Sequence, residues 1–171
     1  MKPAQKNQAL ILVKMALLVA IEVVLGRFLS IRTPIVTIGF GFVPIMLAAM
    51  LFGPARGAIV GGASDFLGAI LFPIGAYFPG FTLTGALTGA IYGICLHKRQ
   101  PKLRHAALAA LLVNVVCSLC LDTLWLYIIM NNGVLALLPT RLIKCAVMIP
   151  IQILVIQAVS QQVDSRLPAQ P

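Results

Sequence analysis

Residues Leu25 to Pro79 read LGRFLSIRTPIVTIGFGFVPIMLAAMLFGPARGAIVGGASDFLGAILFPIGAYFP. The run is apolar enough to sit in lipid, yet it carries Arg27, Arg32, Arg56 and Asp65 among repeated Gly and Pro. A charge in hydrocarbon costs several kcal/mol, so ionisable residues there mark function by default. Proline ends a helix and forces its predecessor into extended geometry. The stretch therefore divides at Ser30–Pro34, at Gly53-Pro54 and at Pro73 into the end of one helix and two short ones.

Outside this stretch the chain is almost wholly membrane span. Of its 171 residues, 60% are hydrophobic and 10% charged, and the mean hydropathy is +1.02. Soluble domains are nearer a quarter charged. A span needs roughly 20 apolar residues. The expected architecture is an all-α integral membrane protein, a bundle of six transmembrane helices. It forms one membrane domain over residues 1–171, with spans at about 9–29, 38–52, 55–71, 81–96, 106–130 and 134–159. The net charge of +9 belongs to topology and lipid contact, not to a nucleic-acid partner, because basic residues collect in cytoplasmic loops. The apolar run after Lys2 and Lys6 continues to Leu25, too long for a cleaved leader.

Lys2, Lys6 and Lys14, then Arg56, then Lys98, Arg99, Lys102 and Arg104, then Arg166 fall at alternate connections. That puts these connections and both termini in the cytoplasm and the chain in the cell membrane as a multi-pass protein. Arg27 and Arg32 break the rule on the outer side, and a ligand would explain them. Glycines recur as Gly57-x-x-x-Gly61 and Gly85-x-x-x-Gly89-x-x-x-Gly93, spacing that lets helix backbones approach closely.

The orientation brings the in-span charges to one outer level. Four bases, Arg27, Arg32, Arg141 and Lys144, face three acids, Glu22, Asp65 and Asp122. Internal ion pairs such as Glu22 with Lys144 would tie helices together without any ligand. The positive surplus, with Tyr77, Phe78, Phe81, Trp125 and Tyr127 nearby, instead suits a flat anionic solute. Aromatic faces stack on rings, the arginine fork binds carboxylates bidentately, and a buried carboxylate meets ring N–H donors. Cys117-Ser-Leu-Cys120 has the spacing of a redox or metal motif. Inside an apolar helix its cysteines read as packing residues, and no metal or cofactor is expected. No nucleophile–base set is present, so intramembrane hydrolysis lacks its parts and an enzyme is not expected, and no ATP-binding motif is present, so any energised transport needs another protein.

Four stretches, RFLSIRTP (27–34), FGFVPIMLAAMLFGPARGAIVG (40–61), SDFLGAILFPIGAYFPGFTLTG (64–85) and LLPTRLIKCAVMIPIQ (137–152), resemble the substrate-binding S component of folate-type energy-coupling-factor (ECF) vitamin transporters. The resemblance covers roughly residues 9 to 160 and implies six helices and a folate site near the outer face. It also implies a transmembrane coupling protein and two ATPases as partners. Two alanines four apart on the first helix dock on the coupling protein in that family, which implies Ala16 and Ala20 here. The expected ligand-binding set is Arg27, Arg32, Asp65, Tyr77, Phe78, Asp122, Trp125, Arg141 and Lys144. Arginines would hold the folate carboxylates and Asp65 or Asp122 the pterin donors. The alternatives are an S component for another vitamin or precursor, and a structural membrane subunit that binds nothing.

Overall fold

The computed structural model describes residues 3–32, 37–73, 77–97, 103–130 and 134–166, with side chains over residues 7–30, 39–73, 77–97, 103–129, 139 and 141–162. The side chains of Arg32, Lys2, Lys6, Lys98, Arg99, Lys102 and Arg166, on which parts of the site and the charge rule rest, lie outside this description.

The chain folds as a membrane helical bundle of six rods. Helix α1 covers Pro3–Phe28, α2 Phe42–Phe52, α3 Pro54–Leu71 and α4 Pro79–Leu96. The fifth rod is compound. It runs through α5 (Leu103–Leu112), a π-helical segment (Val113–Leu121) and α6 (Asp122–Met130). Helix α7 covers Val134–Arg166 and carries Pro139 and Pro150 inside it. Between α1 and α2, strands β1 (Ile31–Arg32) and β2 (Thr37–Ile38) form a short antiparallel pair, Ile31 opposite Ile38 and Arg32 opposite Thr37.

Local chemistry explains the breaks. The Ser30 hydroxyl donates to the Leu25 carbonyl at 3.0 Å and closes the end of α1. Gly53 takes φ 92°, a left-handed value that ends α2, and its N–H returns to the Ala49 carbonyl at 3.0 Å. Pro54 and Pro79 then open α3 and α4, where a helix has no use for the missing N–H. His97, just past α4, places Nδ1 2.9 Å from the Met50 carbonyl and satisfies an orphan acceptor at the α2 terminus.

Among the described residues, four helices are long and apolar enough to cross a membrane: Asn7–Phe28, Pro79–Leu96, Leu103–Ile129 and Arg141–Gln162. Helix α2, with 11 residues, reaches only about 16 Å at 1.5 Å per residue. Helix α3 carries Arg56, Asp65 and four glycines. Helix α3 packs in the tightest part of the bundle. A Cβ added at Gly57 would lie 2.8 Å from the Gly89 carbonyl oxygen, and one at Gly85 2.7 Å from that of Gly61. Only glycine permits such an approach, so the two glycine ladders of the sequence form one antiparallel backbone seam between α3 and α4.

The apolar core fills the end of the bundle away from the β1–β2 pair. Tyr92, Met46 and Ala49 pack there against Ala106, Ala109, Ala110 and Ile156. Large apolar side chains such as Leu12, Leu17, Ile59, Ile143 and Leu154 point outward, as lipid contact requires.

Candidate functional site

At the opposite end a cavity of ≈ 210 Å³ opens between α1, α2, α4, the fifth rod and α7. Its walls carry the carboxylates of Glu22 and Asp122, the ammonium of Lys144, the hydroxyls of Thr84, Thr88 and Ser118 and the amides of Asn114 and Gln152. Phe42, Ile45, Val113 and Met148 supply apolar surface, and Gly39 and Gly41 supply room. A Cβ at Gly41 would sit 3.0 Å from Glu22 Oε1, so the glycine makes space for that carboxylate.

The π-helical segment organises one wall. Its carbonyls bond five residues on rather than four, as the Asp122 N–H does to the Cys117 carbonyl. Side chains from α7 dock on it. Arg141 Nη1 donates to the Ser118 carbonyl at 2.7 Å, Lys144 Nζ to the Ser118 hydroxyl at 2.8 Å, and the Cys145 thiol faces the Asn114 carbonyl at 3.7 Å. Arg141 is 4% exposed, and its Nη1 also stands 4.0 Å from Asp122 Oδ2. Buried ions persist only where hydrogen bonds replace their water, and here backbone and hydroxyl do part of that. Such π segments recur at functional sites.

The residues expected from the sequence fall into three places. Asp122 and Lys144 line the cavity, and Arg141 stands directly behind them. Trp125 and Phe78 pack together against the start of α4. Their rings are 5.5 Å apart, the indole lies against Gly80, and Trp125 Nε1 donates to Thr84 Oγ1 at 3.0 Å. The third place lies on the α3–α4 seam. Tyr77 OH is 3.0 Å from Thr82 Oγ1, which donates to Asp65 Oδ2 at 3.0 Å. The Thr82 hydrogen is committed to the carboxylate, so Tyr77 is the donor in its own bond. Arg27 ends α1 with its guanidinium packed over Gly68 of α3, 2.8 Å from where a Cβ would stand. Neither Arg27 nor Asp65 is among the lining residues.

Sequence reasoning passed over Asn114, Gln152, Ser118, Thr84 and Thr88. The signal was present for the two amides, which are uncharged polar residues deep in apolar runs. The hydroxyls carried none, because Thr84 and Thr88 also bond back to the carbonyls of Gly80 and Thr84 as any helical threonine can.

Residues 11–160 match the family model described as "ECF transporter, substrate-specific component". The chain belongs to that family. It is thus the substrate-binding subunit of a transporter, not an enzyme, and a multi-pass membrane protein. It is 42% identical over 154 residues to the folate transporter FolT of Clostridium novyi (strain NT), covering 90% of each chain. It is 30% identical over 147 residues to FolT of Leuconostoc mesenteroides subsp. mesenteroides, covering 82% of this chain and 79% of the relative. Its fold is similar to the crystal structure of FolT bound with folic acid, with a TM-score of 0.85 and 36% identity over 93% of this chain and 96% of the other.

Proposed function

We propose that this S component captures folate from the outer side of the membrane and passes it inward with a transmembrane coupling protein and two ATPases. The observation that carries the reading is the similarity, over nearly the whole chain, to a FolT structure bound with folic acid. The cavity supports it. Folate joins a flat, hydrogen-bonding ring to a glutamate with two carboxylates, and the walls pair apolar surface with both signs of charge. Glu22 and Asp122 offset Lys144 and Arg141. The positive surplus belongs to Arg27 and Arg32, and they take the ligand's carboxylates. Asp122 accepts from a ligand N–H, Lys144 meets its anionic or carbonyl oxygens, and Trp125 with Phe78 covers the ring.

The coupling protein docks on the lipid side of α1. There an apolar groove of ≈ 540 Å³ between α1 and α3 is lined by Ala16 and Ala20, both exposed. Both termini face the cytoplasm.

One experiment tests binding and docking together. The purified chain should bind folate in titration calorimetry, and cells expressing it with the energising module should take folate up. Ala16→Leu should keep the affinity and abolish uptake, because a large side chain blocks close helix approach. A chain that binds no folate would refute the ligand. Normal uptake by the variant would move the docking surface elsewhere.

A further inference from the structure

The apolar groove between α1 and α3 has a charged end. It runs from Leu12 to Val24 on α1 and from Ile59 to Leu71 on α3, about 18 Å on either helix at 1.5 Å per residue. That is close to one leaflet's share, about 15 Å, of a hydrocarbon core of about 30 Å. Its base is tight, with Met15 8% and Val60 0% exposed, while Leu12, Ile59 and Leu71 stand out as rims. Every lining residue is apolar. Arg56 lies three, four and seven residues before Ile59, Val60 and Ala63, which sets it on the same stripe of α3, one turn beyond the groove. It is exposed, and among the described residues it has no ion-pair or hydrogen-bond partner. Its neighbour Gly57 packs against Ala49 and Gly89, at the end of the bundle away from the ligand cavity.

We propose that the groove is a binding site for one anionic phospholipid, with an acyl chain lying between α1 and α3 and the phosphate on Arg56. A groove of ≈ 540 Å³ on the lipid side does not stay empty in a membrane, because its walls would forfeit their dispersion contacts. A straight methylene chain matches its length and its lack of polar groups. Charge selects the headgroup. A helical side chain leans toward the helix N-terminus, and a long arginine carries its charge to the interface. The guanidinium of Arg56 therefore meets the phosphate of the lipid whose chain fills the groove, and it can hold two phosphate oxygens at once. A zwitterionic lipid brings a competing cation of its own, and an anionic lipid does not. The site goes beyond the folate reading and holds whatever the transported ligand. Where the coupling protein docks in the same groove, it must first expel the lipid.

The test is native mass spectrometry of the purified chain, stripped of lipid in detergent and offered phosphatidylglycerol or phosphatidylcholine with identical acyl chains. The wild type should retain one phosphatidylglycerol in preference to phosphatidylcholine by roughly fivefold, the effect of one basic residue at a membrane surface. Arg56→Gln should remove that preference. Arg104→Gln changes another exposed base, on α5, which packs on α4 and α7. It should keep the preference, which separates a site from diffuse surface charge. Ala63→Phe fills the groove and should lower retention of both lipids. A cooperative melt in lipid-free detergent reports that each variant is folded, and should Ala63→Phe not fold, the two arginine variants decide. A wild type without headgroup preference would overturn the proposal, as would equal losses in the two arginine variants or undiminished retention in a folded Ala63→Phe. None of these outcomes bears on the folate reading, which titration calorimetry with folate decides separately.

Discussion

Along the α3–α4 seam, Gly57 and Gly61 meet Gly89 and Gly85 backbone against backbone. Along the seam between α7 and the π-helical segment, Arg141, Lys144 and Gln152 reach across to a carbonyl, a hydroxyl and an amide. The first seam is held by van der Waals contact between small residues, the natural glue of helices in lipid. The second is held by polar groups that must satisfy one another wherever water is absent. A glycine seam has one good arrangement and nothing to offer a ligand. A polar seam can exchange internal hydrogen bonds for ligand contacts, and the cavity lies on that side.

The contrast can be broken most violently at the glycines. A Cβ at Gly89 would fall against the Gly57 carbonyl. Gly89→Leu should therefore cost the protein its fold, or lower its melting temperature in detergent by about 10 °C or more, since overpacking costs roughly 1–3 kcal/mol and sometimes more. Gly62, one residue off the seam, has only ordinary contacts, with Ala86 Cβ 3.4 Å from an added Cβ. Gly62→Ala should melt within about 3 °C of the wild type. Equal losses at the two positions would mean that the seam is not the rigid element.

The polar seam should answer in affinity rather than in folding. Lys144→Met removes the ammonium in the cavity wall and its bond to Ser118. Folate binding should weaken by roughly thirtyfold, corresponding to about 2 kcal/mol for one partner of a desolvated charge contact. If melting collapses while the affinity of the surviving protein holds, Lys144 is a strut like the glycines.

The smallest effect should come from the Tyr77–Thr82–Asp65 relay, which lies on the glycine seam although it carries a charge. Thr82→Val should cost about 1 kcal/mol of stability and change folate affinity by about twofold or less. A tenfold loss of affinity in calorimetry would place Asp65 in the binding site and blur the division between the seams.

The two seams also differ in how far the sequence disclosed them. The glycine ladder was readable because its spacing repeats and the approach it permits is a property of glycine alone. The charged residues were readable because lipid makes every one of them conspicuous. Their grouping was not. Arg27, Asp65, Asp122 and Lys144 were expected at one level, yet Arg27 packs over Gly68 and Asp65 faces Thr82, while Asp122 and Lys144 line the cavity. Depth along a helix follows from residue number, whereas the direction a side chain faces depends on how each rod is rotated against its neighbours. The π-helical turn was invisible for a related reason: a shift from i→i+4 to i→i+5 bonding is local in the backbone, but no residue pattern marks it.

Composition and spacing by themselves determined that this chain is a polytopic helical membrane protein, where its helices break, and that charge recurs inside its spans. Those properties follow from transfer energies and backbone sterics, which act residue by residue. Only the tertiary structure decided which polar groups share a cavity, which are spent on one another, and that two uncharged amides pair in its wall. A hydrogen bond between Asn114 and Gln152 joins residues 38 apart in the chain, and nothing short of packing the rods together brings them within 2.6 Å.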